Sequence, residues 1–327
     1  MHPRRGAPVR TFPGLPLFLI VLLASSPISR AHAAEPVAVI IEIHLGGGQV
    51  QVRHSGETSW RPAQSLLSLR ADDQITILKD ARITVVFRGA RRTKVFTEAD
   101  SPITVASDDG TASGGRPRVV WNALFQFLTG VRHDPDLAPI VVRQGPPPRV
   151  TILSPLDGRL LPGSLRFEWT GCERSGCRVR VISPEGTVWM TSDVREGGML
   201  YPTDGPALIA GVRYRWELEA PNAPLQHAFF ELLSADEADG VRSALATLNS
   251  SEATGASPAS LVALRSAYLI QARLYSDARR ELSSAIAADP AEPTFHYLQA
   301  LLSERTGLAD LAAQEYLAAQ RLTGGDP

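Results

Sequence analysis

The side chains that could perform chemistry are scattered along this sequence. The histidines beyond the first 34 residues show no H-x-x-x-H or H-E pairing of the kind that builds a zinc site. They are His44, His54, His133, His227 and His296. There is also no G-x-S-x-G elbow, no glycine-rich loop opening a helix, and no S-x-x-K with its companion motifs. The sequence therefore predicts no nucleophile, no bound metal and no cofactor.

Two pairs of adjacent carboxylates are the other groups with chemical potential. Asp72-Asp73 and Asp108-Asp109 could ligate calcium or take part in glycoside cleavage. Neither pair is accompanied by the rest of an EF-hand loop, so both pairs are interpreted as turn residues. We therefore expect a protein that is not an enzyme.

Charge argues against a nucleic-acid partner. The 327 residues carry a net charge of -1, whereas nucleic-acid binding requires a concentrated basic face. One basic cluster is formed by Arg88, Arg91, Arg92 and Lys94. It could contact anionic headgroups or cell-wall polymers, although a solvated hairpin face explains it as well. The charge distribution therefore argues against nucleic acid as a partner, whereas a cell-wall polymer is still possible.

The only two cysteines lie close together between two predicted strands. Cys172 and Cys177 bracket four residues, so a disulfide across the mouth of a hairpin is geometrically easy. Their spacing is too long for a C-x-x-C redox site, and no second pair exists to complete a zinc site. We predict a structural disulfide that stabilises by roughly 2 kcal/mol, formed in an oxidising compartment.

Residues 1–33 have the order of a secretory signal peptide, in which arginines precede a short apolar run and small residues follow it. The arginines are Arg4, Arg5 and Arg10, the apolar run is Leu15 to Ala24, and the small residues are Ala31, Ala33 and Ala34. The run is about half the length that spans a bilayer, and no cysteine follows it to accept a lipid. We expect cleavage near Ala33, no retained transmembrane helix, and a periplasmic or otherwise extracytoplasmic product.

The 327 residues are 44% hydrophobic and 20% charged, and the length allows two or three domains. Residues 35–105 alternate between apolar and polar positions in short runs, which predicts a small antiparallel all-β unit. The runs are 49–53, 74–78, 83–87 and 94–96. Trp60 is expected to plug the core, and Lys79-Asp80 and Arg88-Gly89 are expected to form hairpin turns.

The segment GGGQVQVRHSGETSWRPAQSLLSLRADDQITILKDARITVVFRG, residues 46–89, resembles a FecR-like domain. It departs from that pattern at Ala71-Asp72-Asp73, where such domains carry a glycine before the turn aspartate. Family members in iron-transport signalling add a cytoplasmic anti-sigma segment and a membrane helix, and this sequence shows neither. The resemblance therefore implies an extracytoplasmic β module rather than the signalling circuit.

Residues 106–148 are predicted to link two domains, because 106–119 are rich in Gly, Ser and Asp, and Gln144 begins a Gly-Pro-Pro-Pro boundary. Between these stretches, apolar residues recur at helical spacing and Gly130 ends the pattern. The apolar residues are Trp121, Leu124, Phe125 and Leu128. This helix could contact a membrane or a partner, but packing within its own domain is the favoured interpretation.

Residues 149–234 read as a β-sandwich, with short strands at regular spacing. The strands are RVTIL, LRFEW, RVRVI, TVWMT, VRYRWELEA and HAFFEL. The pattern resembles fibronectin type III or immunoglobulin-like repeats, in which Trp169 would be the core tryptophan and Tyr214 with Trp216 would lie on a late central strand. Sandwiches of this kind mostly present binding surfaces.

Residues 235–322 lose the strand signal and contain an internal repeat of 34 positions. Ala278, Leu282 and Ala285 recur as Ala312, Tyr316 and Ala319. The period and the residue types resemble tetratricopeptide repeats. Ala300 and Gly307 also fit that pattern, since small residues let paired helices approach and glycine permits the tight turn.

Two features of residues 235–322 depart from a regular array. Arg265 occupies a position that is usually apolar in tetratricopeptide repeats. The preceding helix, 236–248, is expected to be half a repeat or a cap, packed on the two repeats. The predicted class is therefore multidomain α+β: an all-β module, a sandwich and an all-α repeat domain.

We expect a noncatalytic scaffold or adaptor that binds a protein or peptide in the bacterial cell envelope. The repeat resemblance implies a groove on the first helices of the repeats, formed by Ile270, Gln271, Tyr297, Leu301, Glu304 and Arg305. An ordinary solvent-exposed face is an equal alternative for these residues. Two other functions stay open: a sensing component of a FecR-type regulatory system, and a cell-wall or carbohydrate-binding protein.

Overall fold

The computed structural model describes residues 35–88, 93–106, 116–130, 150–163, 165–173, 176–250 and 256–323. It has mixed α+β content, with β-sheets in the N-terminal part and helices at the C-terminal end. The predicted signal peptide lies outside the described residues, as do Asp108-Asp109, Arg91-Arg92, His133 and the Gly-Pro-Pro-Pro boundary.

Residues 35–105, called here the β module, fold into two sheets. Their strands are β1 Ala38–His44, β2 Gln49–Arg53, β3 Arg61–Pro62, β4 Ser68–Leu69, β5 Gln74–Leu78, β6 Arg82–Phe87, β7 Thr93–Thr97 and β8 Ile103–Thr104. One sheet has the order β4-β1-β6-β7 and the other β3-β2-β5-β8. The four predicted runs coincide with β2, β5, β6 and β7.

Two expectations for the β module are wrong. Lys79-Asp80 does not form a hairpin, because β5 and β6 belong to different sheets and the turn carries the chain from one to the other. Trp60 does not fill the core: it is half-buried, and the guanidinium of Arg53 lies 4.9 Å above its ring. Apolar strand residues such as Ile77 fill the interior instead.

Strand β1 is buried on both faces, and the alternation pattern did not identify it. Ala38 and Ile40 face the core of the β module, whereas Val39 and Ile41 belong to a second core shared with the helices. A strand covered on both sides needs apolar residues at consecutive positions, which removes the period-two signal.

Helix α1, Arg116–Gly130, packs against this second core. Its apolar stripe is buried together with β1 and the C-terminal helices. The buried residues of α1 are Trp121, Leu124, Phe125, Phe127 and Leu128. In the parts of the chain that the structure describes, no helix combines the length and the apolar character needed to span a membrane.

Two sheets packed over a common core form the segment 150–233, called here the sandwich. Its strands are β9 Thr151–Ser154, β10 Gly158–Leu160, β11 Arg166–Thr170, β12 Cys177–Ser183, β13 Gly186–Val194, β14 Gly198–Leu200, β15 Arg213–Glu219 and β16 Gln226–Leu232. The sheet orders are β10-β16-β15-β12-β13 and β14-β11-β9. Trp169 on β11 and Trp216 on β15 are fully buried, with ring centroids 6.3 Å apart, so the two tryptophans join the sheets.

The predicted disulfide is confirmed, but its setting differs from the prediction. Cys172 and Cys177 are bonded, with their Cα atoms 5.5 Å apart. The strands that they connect, β11 and β12, lie in different sheets, so the bond does not span a hairpin. It closes the crossover between the sheets, and both sulfurs are buried in the sandwich core.

Five helices at the C-terminal end form what is called here the helical array. They are α2 Ala235–Asn249, α3 Pro258–Gln271, α4 Tyr275–Ala288, α5 Pro293–Arg305 and α6 Ala309–Leu322, among the described residues. Helix α2, expected as a half repeat or cap, contributes Ala238 and Leu248 to the shared core. Gly307, in the turn between α5 and α6, has a φ of 75°, a conformation that glycine adopts without strain.

The unusual arginine of the first repeat has a partner on the next helix. Arg265 Nε on α3 lies 3.0 Å from Glu281 Oε1 on α4, and the Glu281 side chain is only 15% exposed. Burial raises the pKa of Glu281, while the charge of Arg265 lowers it. Arg265 therefore compensates a partly buried carboxylate between the two helices.

The sandwich is attached to the helical array by backbone and side-chain contacts. Arg159 N donates to Arg273 O at 2.8 Å, and Ser154 Oγ donates to Ser276 Oγ at 2.9 Å. A Cβ at Gly158 would come within 2.8 Å of Arg273 O, so only glycine allows this approach.

Candidate functional site

The candidate groove lies on α3 and α5, and part of it is covered by the chain itself. Ile270 is fully buried and Leu301 is 8% exposed. Both residues belong to the core that contains β1 and the apolar stripe of α1. Gln271, at the end of α3, is half-buried. We call the part of the groove at Ile270 and Leu301 its inner end. There, α1 and β1 lie next to α3 and α5, so the inner end is an intramolecular contact.

The outer end of the groove forms a compact group, called here the tyrosine cluster: Tyr297, Glu304, Arg305 and Tyr316. The rings of Tyr297 and Tyr316 meet edge to face, with centroids 5.3 Å apart. Tyr316 Oη donates to Glu304 Oε2 at 3.0 Å. This arrangement links α5 to α6 through both an aromatic contact and a hydrogen bond.

Arg305 connects the tyrosine cluster to α1. Its guanidinium carbon lies 4.8 Å from the centroid of the Phe127 ring, within the range of a cation–π interaction. Glu304 and Arg305 are exposed, whereas the two tyrosines are half-buried. A partner arriving at this end would meet one positive charge, one negative charge and two aromatic edges.

Both tyrosines of the cluster are held as neutral phenols. Burial raises the pKa of Tyr297 and of Tyr316, and the charge of Glu304 raises both further. A neutral phenol can donate a hydrogen bond, so the bond from Tyr316 to Glu304 persists over the whole neutral pH range.

The residues predicted to pack the repeat helices are buried or half-buried. Ala278, Leu282, Ala300, Ala312 and Ala319 are buried. Ala285 and Tyr316 are partly buried against the same core. Their small size at the crossing points allows the helices to approach closely.

Asp73, one of the residues first considered for chemistry, holds the backbone instead. Asp73 is fully buried: its Oδ1 accepts from Ser55 N at 2.9 Å, and its Oδ2 accepts from Arg70 N at 2.8 Å. His54 Nδ1 lies 3.0 Å from the same Oδ2. These contacts agree with the turn interpretation of Asp72-Asp73. Across the described ranges, no three His, Cys, Asp or Glu residues converge as a metal site would require.

His296 links the two helices of the second repeat. Its Nδ1 lies 2.7 Å from Glu315 Oε2 on α6, and its Nε2 lies 3.0 Å from Pro290 O. The residue therefore connects α5 both to α6 and to the segment that precedes α5.

A second polar group, which the sequence analysis did not identify, lies where β1 meets the helices. Glu42 is 4% exposed, and its Oε2 accepts hydrogen bonds from Thr84, Ser257 and Ser260. Glu292, 5% exposed, accepts from Thr294 N at 3.1 Å and caps the start of α5. We call Glu42, Glu292 and these hydroxyl residues the acidic junction. A glutamate inside an apolar run gives no signal of this kind before the fold is known.

One cavity lies between the sandwich and α4. Its volume is about 40 Å³, and charged groups including Arg166, Glu168, Asp277 and Arg280 line it. A space of this size accommodates a water molecule or a small ion rather than an organic substrate.

Comparison with known proteins assigns no family. No protein-family model matches the chain, and no curated protein shows significant similarity to it.

Proposed function

We propose that this protein is an exported adaptor without a reaction centre, which docks a protein or peptide in the cell envelope through the tyrosine cluster. The observation that carries the proposal is that Tyr297, Tyr316 and Arg305 converge at an exposed end of the helical array. Tyrosine and arginine are the residue types over-represented among binding hot spots. The opposite end of the same face is covered by the chain's own α1.

The extracytoplasmic location in this proposal is supported by two features. Residues 1–33 have the order of a cleavable leader, and Cys172 is joined to Cys177. Structural disulfides persist mainly in oxidising compartments. Together these features favour the periplasm as the place where the partner is met.

The proposed fibronectin-like or immunoglobulin-like identity of the sandwich has specific support. Tyr214, at the start of β15, accepts a hydrogen bond from Ile209 N at 2.8 Å through its hydroxyl. A tyrosine hydroxyl bonded to backbone a few residues upstream is also found in the tyrosine corner of immunoglobulin-like sandwiches, and this likeness supports the proposed identity. Strand order β14-β11-β9 in one sheet and β16-β15-β12 in the other also fits that architecture.

The proposed tetratricopeptide identity rests on helix spacing. Helices α4 and α6 begin at Tyr275 and Ala309, which are 34 positions apart, the length of that repeat. The FecR-like identity of the β module rests on the sequence pattern of residues 46–89. These assignments make all three segments interaction modules, consistent with an adaptor.

The proposal is tested by site-specific photo-crosslinking in intact cells. A benzoylphenylalanine at position 304 is expected to give a discrete adduct, and the same group at position 242 on α2 is not. The adduct is expected to disappear when Arg305→Glu is introduced alone or together with Tyr297→Ala, while Arg242→Glu leaves it unchanged. Circular dichroism verifies that each variant is folded. An adduct that survives both cluster variants excludes this surface.

A further inference from the structure

The acidic junction places two buried carboxylates at one contact between separate parts of the fold. Glu42 lies on β1, whereas Glu292 caps α5. Ser257, which caps α3, accepts from Ser260 N at 2.9 Å and donates to Glu42. The carboxylate of Glu42 thereby bonds the strand to the start of α3.

The same contact is continued at the start of α5. Thr294 Oγ1 donates to Ser65 Oγ at 3.0 Å, which joins α5 to the β module. Thr294 N donates to Glu292 Oε1. The first helices of both repeats are thus attached to the β module: α3 through Glu42, and α5 through Thr294, which lies next to the buried Glu292.

Neither carboxylate forms an ion pair within the parts of the chain that the structure describes. The groups that donate to them are neutral: to Glu42 the hydroxyls of Thr84 on β6, of Ser257 at the cap of α3 and of Ser260 on α3, and to Glu292 the backbone N–H of Thr294 on α5. The other charge acting on Glu292 is Asp289, which is exposed and also negative. Ionisation of Glu292 is therefore opposed by its burial and by the carboxylates of Glu42 and Asp289.

We propose that the acidic junction is a pH-sensitive latch. The β module is held against α3 and α5 while the carboxyl of Glu292 is protonated, and the contact loosens when that carboxyl ionises. This inference does not depend on the proposed adaptor function.

The direction of the pH dependence follows from Glu292. Burial, with the charges of Glu42 and Asp289, raises the pKa of Glu292 from 4.5 to about 7. The closed junction therefore keeps this proton at a pH where an opened junction has released it. The stabilisation is complete below about pH 4.5 and is lost as the pH rises through about 7.

Hydrogen exchange on the whole mature chain, with its disulfide intact, tests the latch. Exchange is compared at about pH 5.5 and about pH 8.5 after correction for intrinsic rates. Peptides that contain β1 and the start of α5 are expected to open at least about tenfold more readily at the higher pH, as a pKa difference of one unit or more requires. Peptides from the central strands of the sandwich are expected to show no such change.

Glu292→Gln keeps the shape and the acceptor of the cap but removes the charge, so the pH dependence is expected to vanish. Asp289→Asn is the matched control, and it is expected to retain the dependence. Loss of the dependence in Asp289→Asn but not in Glu292→Gln overturns the proposal, as does a wild-type protein whose junction opens equally at both values.

A second measurement covers the case in which Glu292→Gln does not fold. Carbon-13 labelling of the glutamate carboxyls allows the wild-type protein itself to be titrated by NMR. One glutamate is expected to titrate near neutral pH, together with the amide signals of β1. If every glutamate titrates in the ordinary acidic range, the latch does not exist.

Discussion

Arg279 Nε on α4 lies 3.6 Å from Glu168 Oε2 on β11, and this ion pair joins the helical array to the sandwich. The Arg279 side chain is 17% exposed and that of Glu168 is 33% exposed. Burial lowers the pKa of Arg279, while the charge of Glu168 opposes that effect. The contribution of this pair to stability is therefore expected to lie between that of an exposed ion pair and that of a fully buried one.

Replacing Arg279 by methionine is expected to lower the free energy of unfolding by about 1 kcal/mol, because Glu168 then loses one of its two cations and keeps only Arg166, whose Nε lies 3.2 Å from Glu168 Oε1. Urea denaturation followed by tryptophan fluorescence measures this loss, since Trp169 and Trp216 lie in the sandwich. Arg242→Met serves as the control, because Arg242 and its partner Asp239 are both mostly exposed. Equal losses in the two variants would show that the pair does not stabilise the contact.

Removing the hydroxyl of Tyr214 tests the corner of the sandwich. Tyr214→Phe leaves the amide of Ile209 without its acceptor, and because Ile209 is 66% exposed the expected cost is the net value of one hydrogen bond, about 0.5 to 1.5 kcal/mol. We expect a loss of stability in that range by thermal unfolding. Tyr201→Phe removes a hydroxyl that donates to Pro206 O in an exposed position. Its effect is expected to be smaller, and the reverse order would contradict the role given to Tyr214.

The disulfide is expected to contribute modestly to stability. Changing both Cys172 and Cys177 to alanine should lower the free energy of unfolding by roughly 2 kcal/mol, since the bond closes only a short loop. Alanine is preferred to serine because both positions are buried. The near-ultraviolet circular dichroism of the tryptophans should be preserved, and its collapse would mean that the bond decides whether the sandwich folds.

The Arg265–Glu281 pair predicts a change in pH dependence. In Arg265→Ala, the pKa of Glu281 loses the cation that lowers it and rises further above its ordinary value. A carboxyl with a raised pKa stabilises the folded state at low pH and loses that contribution as the pH rises. The free energy of unfolding of the variant, relative to that of the wild type, should therefore fall as the pH is raised from about 5 to about 8. Helix unfolding monitored at 222 nm by circular dichroism measures it.

Adding Glu281→Gln to the Arg265→Ala variant supplies the control for that experiment. The double variant has no carboxyl to titrate at this position, so its stability relative to wild type should lose the extra pH dependence. If the stability of the double variant falls with rising pH as much as that of the single variant, a group other than Glu281 causes the pH dependence.

Particular residues show how far the sequence alone could lead. The alternating runs located β2, β5, β6 and β7 because one face of each strand meets the core while the other does not. Alternation of apolar and polar residues did not identify β1, because both of its faces are apolar. Val39 and Ile41 face the helices, and Ala38 and Ile40 face the β module. Its second buried face exists only because a distant part of the chain covers it.

The candidate groove shows the same division. Repeat position placed Ile270, Leu301, Tyr297 and Arg305 on one face of the first helices, and they do lie on α3 and α5. Which of them are accessible could not be read from spacing, since α1 and β1 cover Ile270 and Leu301 and leave the tyrosine cluster exposed.

By itself, the sequence determined the local features. These are the alternating runs that form strands, the 34-residue repeat, the two cysteines near enough to bond, and an α+β content in which the strands precede the C-terminal helices. These depend on interactions between residues a few positions or one repeat apart. Only the tertiary structure decided which sheet each strand joins, what covers the groove, and that the charge of Glu42 acts on Glu292. Those outcomes depend on contacts between residues that are distant in the chain, such as Glu42 with Ser257, 215 positions away, and no local pattern encodes the partner of a buried surface.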